Sequence, residues 1–81
     1  MYYIYIIKSI SYSNRYIGSS KDITKRLTEH NQGKCRYTQG RKPWKLIYQE
    51  SFANRSQAMQ REKFLKSGKG REFLDKILGN T

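Results

Sequence analysis

The segment YYIYIIK, Tyr2–Lys8, followed by RYIGS, Arg15–Ser19, decides how this chain begins to fold. Both pieces are dense in β-branched and aromatic residues, and the stretch between them, Ser9–Asn14, is mostly serine and asparagine. The pair therefore reads as the two strands of a hairpin. Alternation along the first strand puts Tyr3, Tyr5 and Ile7 on one face and Tyr2, Ile4 and Ile6 on the other. Both faces carry apolar bulk, so both are expected to be covered. Gly18, at the end of the second strand, marks a close approach or an unusual backbone angle.

Downstream, Asp22 is a capping residue for a helix through Ile23, Leu27 and His30 that stops near Gly33. Residues Lys34–Lys45 show little periodicity and much positive charge, with Gly40 and Pro43 as breakers, and are expected to form a basic loop with one short helical turn. Leu46–Phe52 has the composition of a strand. Ser56 is placed as the cap of a helix over Gln57–Lys66, with Ala58, Met59 and Leu65 as its apolar face, and a last helix spans Arg71–Leu78. The order is β-β-α-β-α-α. The expected fold is α+β, a small three-stranded, mainly antiparallel sheet flanked by helices, read as one domain over residues 1–81.

Composition narrows the function. Against 6 Asp and Glu stand 17 Lys and Arg, a formal net charge of +11. That excess suits a polyanion, and the cations are spread along the chain and not gathered on one amphipathic helix, which favours nucleic acid over a membrane surface. A single cysteine, Cys35, allows no internal disulfide, and no signal peptide or membrane-length apolar run is present, so the expected compartment is the cytoplasm. There is no Gly-rich phosphate loop, zinc spacing, carboxylate pair or serine nucleophile motif, and no small-molecule substrate is expected. A monomer is the default.

Charged residues that interrupt apolar stripes are the candidates for chemistry. Arg26 and His30 are four apart on the first helix, beside or within the Ile23 and Leu27 stripe. Either they are a snorkelling arginine and a satisfied boundary histidine, or they face a site. Glu62 points near the middle of the apolar face of the second helix, where a carboxylate needs a partner. That partner is Arg26 or Lys63 in an ion pair, or else a hard divalent cation completed by water and phosphate oxygens. Tyr5 and Tyr16 lie on paired strands, where a phenol beside a basic cluster can be shifted towards deprotonation and act as a general base. Lys34, Arg36, Arg41, Lys42 and Lys45, interleaved with Tyr37 and Trp44, can track phosphates and offer aromatic faces, although Trp44 taken alone reads as a core residue.

These residues, in this order, resemble the GIY-YIG nucleases, a family that includes homing endonucleases, the incision subunit of bacterial nucleotide excision repair, and small stand-alone proteins. Tyr3-Ile4-Tyr5 stands at the first triplet and Tyr16-Ile17-Gly18 at the second, Arg26 and His30 match the helix that follows, and Glu62 matches the metal-binding glutamate. Lys42–Tyr48 and Lys66–Arg71 look most like the stand-alone branch. Three positions depart from the pattern. Tyr3 replaces the first glycine, Ser19 stands where the repair branch has a lysine that only Lys21 would replace, and an asparagine used in some branches has no counterpart better than Asn80.

The resemblance implies a metal-dependent endonuclease acting on nucleic acid, DNA foremost, with a link to DNA repair. It further implies a water deprotonated by a tyrosine, one Mg²⁺ (or Mn²⁺) on Glu62 at the leaving 3′ oxygen, Arg26 steadying charge on the phosphate, and His30 orienting or relaying a proton. Tyr16 is favoured as the base, with Tyr5 orienting it. Two competing readings keep the charge without the chemistry: a non-catalytic nucleic-acid-binding module on the same fold, and a structural partner of a ribonucleoprotein.

Overall fold

Tyr2–Ser9 forms a strand, β1, at the centre of a three-stranded antiparallel sheet in the computed structural model, which describes residues 1–79. Its neighbours are β2, Arg15–Ser20, and β3, Trp44–Phe52, in the order β2-β1-β3. Helices α1, Ile23–Asn31, α2, Arg55–Leu65, and α3, Gly68–Leu78, complete the β-β-α-β-α-α order, with a 3₁₀ turn over Gln39–Arg41. The α+β architecture read from the sequence is the one observed.

Because β1 is central and apolar on both sides, the sheet is covered on both sides. Ile4 and Ile6 pack with Ala58, Leu65 and Leu74 beneath α2 and α3. Tyr5 and Ile7 pack with Trp44, Ile23 and Leu27 on the α1 side. The division of β1 into two faces follows the alternation of its sequence.

Several element ends differ from expectation, each for a local reason. Strand β3 starts two residues early, at Trp44, because the Asn31 side chain accepts from the Trp44 N–H and donates to its carbonyl, holding that backbone extended. The cap of α2 is Asn54, whose side chain accepts from the Gln57 N–H at 2.9 Å, and not Ser56. Helix α3 begins at Gly68, capped by Ser67, three residues before the expected start at Arg71. Gly70 is buried there because α2 and α3 touch: a Cβ would press on the Phe64 carbonyl oxygen and lie 2.5 Å from the Leu65 Cα.

The rotation of α2 also departs from the sequence reading. Its inward residues are Ala58, Arg61 and Leu65, whereas Met59 is 51% exposed. Arg61 belongs inside because its guanidinium grips Glu50 of β3 through two bonds, at 2.8 and 3.0 Å, and lies over the Phe64 and Phe73 rings. Glu62, its side chain 24% exposed against 29% for Arg61, lies on the other flank of the Ala58–Leu65 line, at the margin of the buried face and not in its middle.

Candidate active site

The hairpin register sets the geometry. Tyr5 is opposite Gly18 and Ile7 is opposite Tyr16, so both tyrosines lie diagonally on the α1 side of the sheet, ring centroids 6.3 Å apart. A Cβ on residue 18 would meet the Tyr5 hydroxyl at 2.6 Å, so the glycine of the second triplet is the space that the first tyrosine fills.

From α1, His30 reaches the same spot. It is fully buried, with Nε2 3.0 Å from the Tyr5 hydroxyl and Nδ1 2.7 Å from Thr38 Oγ1. The Thr38 hydroxyl donates to the Cys35 carbonyl, so it accepts from the imidazole, and Nε2 is left to accept from the phenol. Trp44 Nε1 in turn donates to the Thr38 carbonyl. Thr38 and Asn31, the two residues that seat this network, carried no sequence signal beyond being small polar residues near a helix end.

Electrostatics correct one expectation. Burial, and not the basic cluster, dominates both phenols: Tyr5 is pushed up to about 12 although Arg26 faces it and pulls the other way, and Tyr16 is also raised by burial against the opposing charges of Lys66 and Arg26. His30 is lowered, first by burial and then by the charge of Arg26, and is held as the neutral ring. Tyr5 is 1% exposed and its hydroxyl is committed to His30, whereas Tyr16 is half-buried and lines a cleft.

Arg26 stands beside this group, its Nη1 2.9 Å from Glu29 Oε1. Glu62 approaches from the other side of the sheet. Its carboxylate pairs with Lys66 at 2.7 Å, not with Arg26 or Lys63, and its charge acts on Tyr16 together with those of Lys66 and Arg26. Lys66 lines the same cleft as Tyr16, and on its far side a second groove holds Glu62, Lys63, Arg55 and Met59. Tyr5, Tyr16, Arg26 and His30 thus form one cluster on the β2 side of the sheet, with Glu62 across the strand edge.

Other candidates are placed elsewhere. Lys34, Arg36, Arg41, Lys42 and Lys45 are exposed and line neither cleft. Trp44 is 2% exposed in the core, so Tyr37, its ring 5.6 Å from Tyr16, is the aromatic that the loop presents. Lys21 lies over the Tyr2 ring, away from the cluster, and Asn80 falls outside the described residues. Among the described residues no group of three or more His, Cys, Asp and Glu is assembled for a metal, and no helix is long and apolar enough to cross a membrane.

The model of the GIY-YIG catalytic domain matches residues 1–74. The chain belongs to the GIY-YIG family. Its GIY-YIG relatives include a UPF0213 protein of Staphylococcus saprophyticus, 45% identical over 67 residues, covering 82% of this chain and 80% of the relative. A UPF0213 protein of Staphylococcus haemolyticus is 38% identical over 77 residues, covering 94% of this chain and 93% of its own. The solution structure of the UPF0213 protein BH0048 from Bacillus halodurans superposes with a TM-score of 0.56 at 31% identity, over 98% of this chain and 87% of that one. GIY-YIG is a nuclease-type family.

Proposed function

We propose that this protein is a divalent-metal-dependent endonuclease that hydrolyses phosphodiester bonds of nucleic acid, DNA foremost. The observation that carries the reading is the convergence of Tyr16, Arg26 and the Tyr5–His30 pair on one side of the hairpin, with the Glu62 carboxylate close enough to act on Tyr16. Inert basic surfaces do not gather these groups.

The donor set fits one hard cation. Glu62 is half-buried, and among the described residues only its Oε2 is engaged, by a lysine whose side chain is 52% exposed. One carboxylate with water and phosphate oxygens is how Mg²⁺ is commonly held. When bound at Glu62, Mg²⁺ or Mn²⁺ supplies Lewis-acid stabilisation of the leaving 3′ oxygen and positive charge that favours the phenolate of Tyr16.

This chain's own residues do the rest. Tyr16, the accessible tyrosine, acts as the phenolate, its own proton having passed to solvent, and takes the proton of a water whose oxygen attacks phosphorus while the bond to the 3′ oxygen breaks. Arg26 neutralises the charge that grows on the phosphate. Tyr5 donates to His30 Nε2, and His30 donates to Thr38, so Tyr5 is held still as a wall for Tyr16 and is kept protonated by burial.

A panel of single-stranded, duplex, flapped and branched substrates with Mg²⁺ or Mn²⁺ tests the proposal. Wild type should cleave and lose cleavage to a chelator, and Glu62→Ala should lose cleavage while retaining binding. Full cleavage by Glu62→Ala overturns the metal assignment. Binding by wild type without metal-dependent cleavage of any substrate identifies a non-catalytic binding module instead.

A further inference from the structure

Arg15 precedes the second triplet on β2 and has no part in the chemistry above. Its side chain is only 26% exposed, and Nη2 pairs with Asp75 Oδ1 of α3 at 2.7 Å. The other terminal nitrogen, Nη1, is buried without a hydrogen-bond partner among the described residues. A buried guanidinium N–H left unpaired is costly, and an acceptor at that position recovers the loss.

The same arginine lines a cleft of about 710 Å³ along the edge of β2, with Lys66 and Arg71 from the helices and Tyr16 and Tyr37 as an aromatic wall. Three cations and one anion line it, Lys66 also pairing with Glu62 beyond the cleft. That anion, Asp75, is 65% exposed, so its ion pair is a solvated one that little energy holds closed. Planar guanidinium groups take carboxylates and phosphates in the same two-pronged way, which makes Asp75 a stand-in for a phosphate. Arg15 and Tyr16 line the same cleft, so a strand whose reactive phosphate sits at Tyr16 would have a neighbouring phosphate within reach of Arg15.

We propose that the cleft is a phosphate subsite, in which Arg15 binds a backbone phosphodiester of the nucleic acid, displacing Asp75, with Lys66 and Arg71 beside it. The inference rests on the reading of the protein as one that binds nucleic acid, and it concerns binding alone.

The test is fluorescence anisotropy with a labelled DNA duplex in EDTA, where no cleavage occurs, at several salt concentrations. Arg15→Gln should weaken binding and make the salt slope shallower by about 0.9, the counterion release of one phosphate on duplex DNA. Asp75→Asn should tighten binding severalfold, because the guanidinium no longer has to be freed. Charge-matched controls on the exposed face of α3, Lys76→Gln and Glu72→Gln, correct for net charge, and only effects in excess of theirs count. A purely structural bridge predicts that both partners, when removed, act in the same direction, through lost stability. Equal and same-sign effects, or effects no larger than the controls, overturn the subsite. If Arg15→Gln does not fold, the Asp75→Asn arm decides alone. Absence of wild-type binding to the duplex overturns the nucleic-acid reading together with the subsite, whereas binding that is indifferent to Arg15 overturns the subsite only.

Discussion

Tyr5 and Tyr16 have the same side chain and different surroundings, and a single deleted oxygen should separate them. Tyr16→Phe keeps the packing and removes a group that, in the proposed mechanism, only the reaction uses, so the rate should fall on the order of a hundredfold or more with thermal stability unchanged. Tyr5→Phe leaves His30 Nε2 buried without its donor, so it should cost about 1–3 kcal/mol of stability as well. Normal cleavage by Tyr16→Phe alongside a dead Tyr5→Phe would exchange the two roles. His30 makes a separate prediction through pH. Its folded pKa lies below the ordinary 6.5, chiefly through burial, so the unfolded chain takes up the proton first as pH falls. Its contribution to stability is complete above about 6.5 and is lost as pH falls towards the folded value. Denaturation midpoints measured from pH 7.5 to 5 should decline, and His30→Gln should flatten that decline. An unchanged decline in the variant would remove His30 as its source.

At the scale of elements, hairpin and helices were not equally legible. Period-two alternation in β1 identifies two faces, and the hairpin pairs Tyr5 with Gly18 and Ile7 with Tyr16, so Tyr5 and Tyr16 are neighbours, as strands that pair through a hairpin allow. Helix α2 misleads because Arg61 lies inside it. An inward arginine is invisible to a count of apolar residues, and without Glu50 of β3 in view the count selects Met59 and misses Arg61. Close approach is what the glycines serve. Gly18→Ala forces a methyl against the Tyr5 ring and should cost about 1–3 kcal/mol, the range of overpacked cores, with loss of the tyrosine pair geometry. Gly70→Ala meets backbone, which cannot swing aside, so its fall in melting temperature should be the larger of the two. A Gly70→Ala protein as stable as wild type would mean that α2 and α3 are not packed as closely as described.

Across the whole molecule the net charge of +11 lies mostly on exposed side chains, and the loop cations Lys34, Arg36, Arg41, Lys42 and Lys45 stand apart from the cleft beside Tyr16. The two surfaces would therefore make separable contributions to the proposed binding. If the loop grips the backbone, replacing Arg41 and Lys42 by alanine should weaken affinity evenly across sequences and make the salt slope shallower by up to about two units. A wild-type slope in that double mutant would show that the loop is not a contact surface. Trp44 plays no part in this, since it is in the core and donates to Thr38.

Local periodicity and turn chemistry, which depend on residues within a few positions of one another, were sufficient for the element order, the two faces of β1 and the Asp22 cap. Tertiary structure alone decided what depends on distant segments. His30 is neutral and buried because Tyr5, 25 residues away, and Thr38 close around it, and the phenols are raised and not lowered because burial outweighs nearby charge. Arg15 meets Asp75 across 60 residues of sequence, and Arg61 meets Glu50 across 11. Desolvation and ion pairing depend on which surfaces the folded chain brings together, and spacing along the chain does not contain that information.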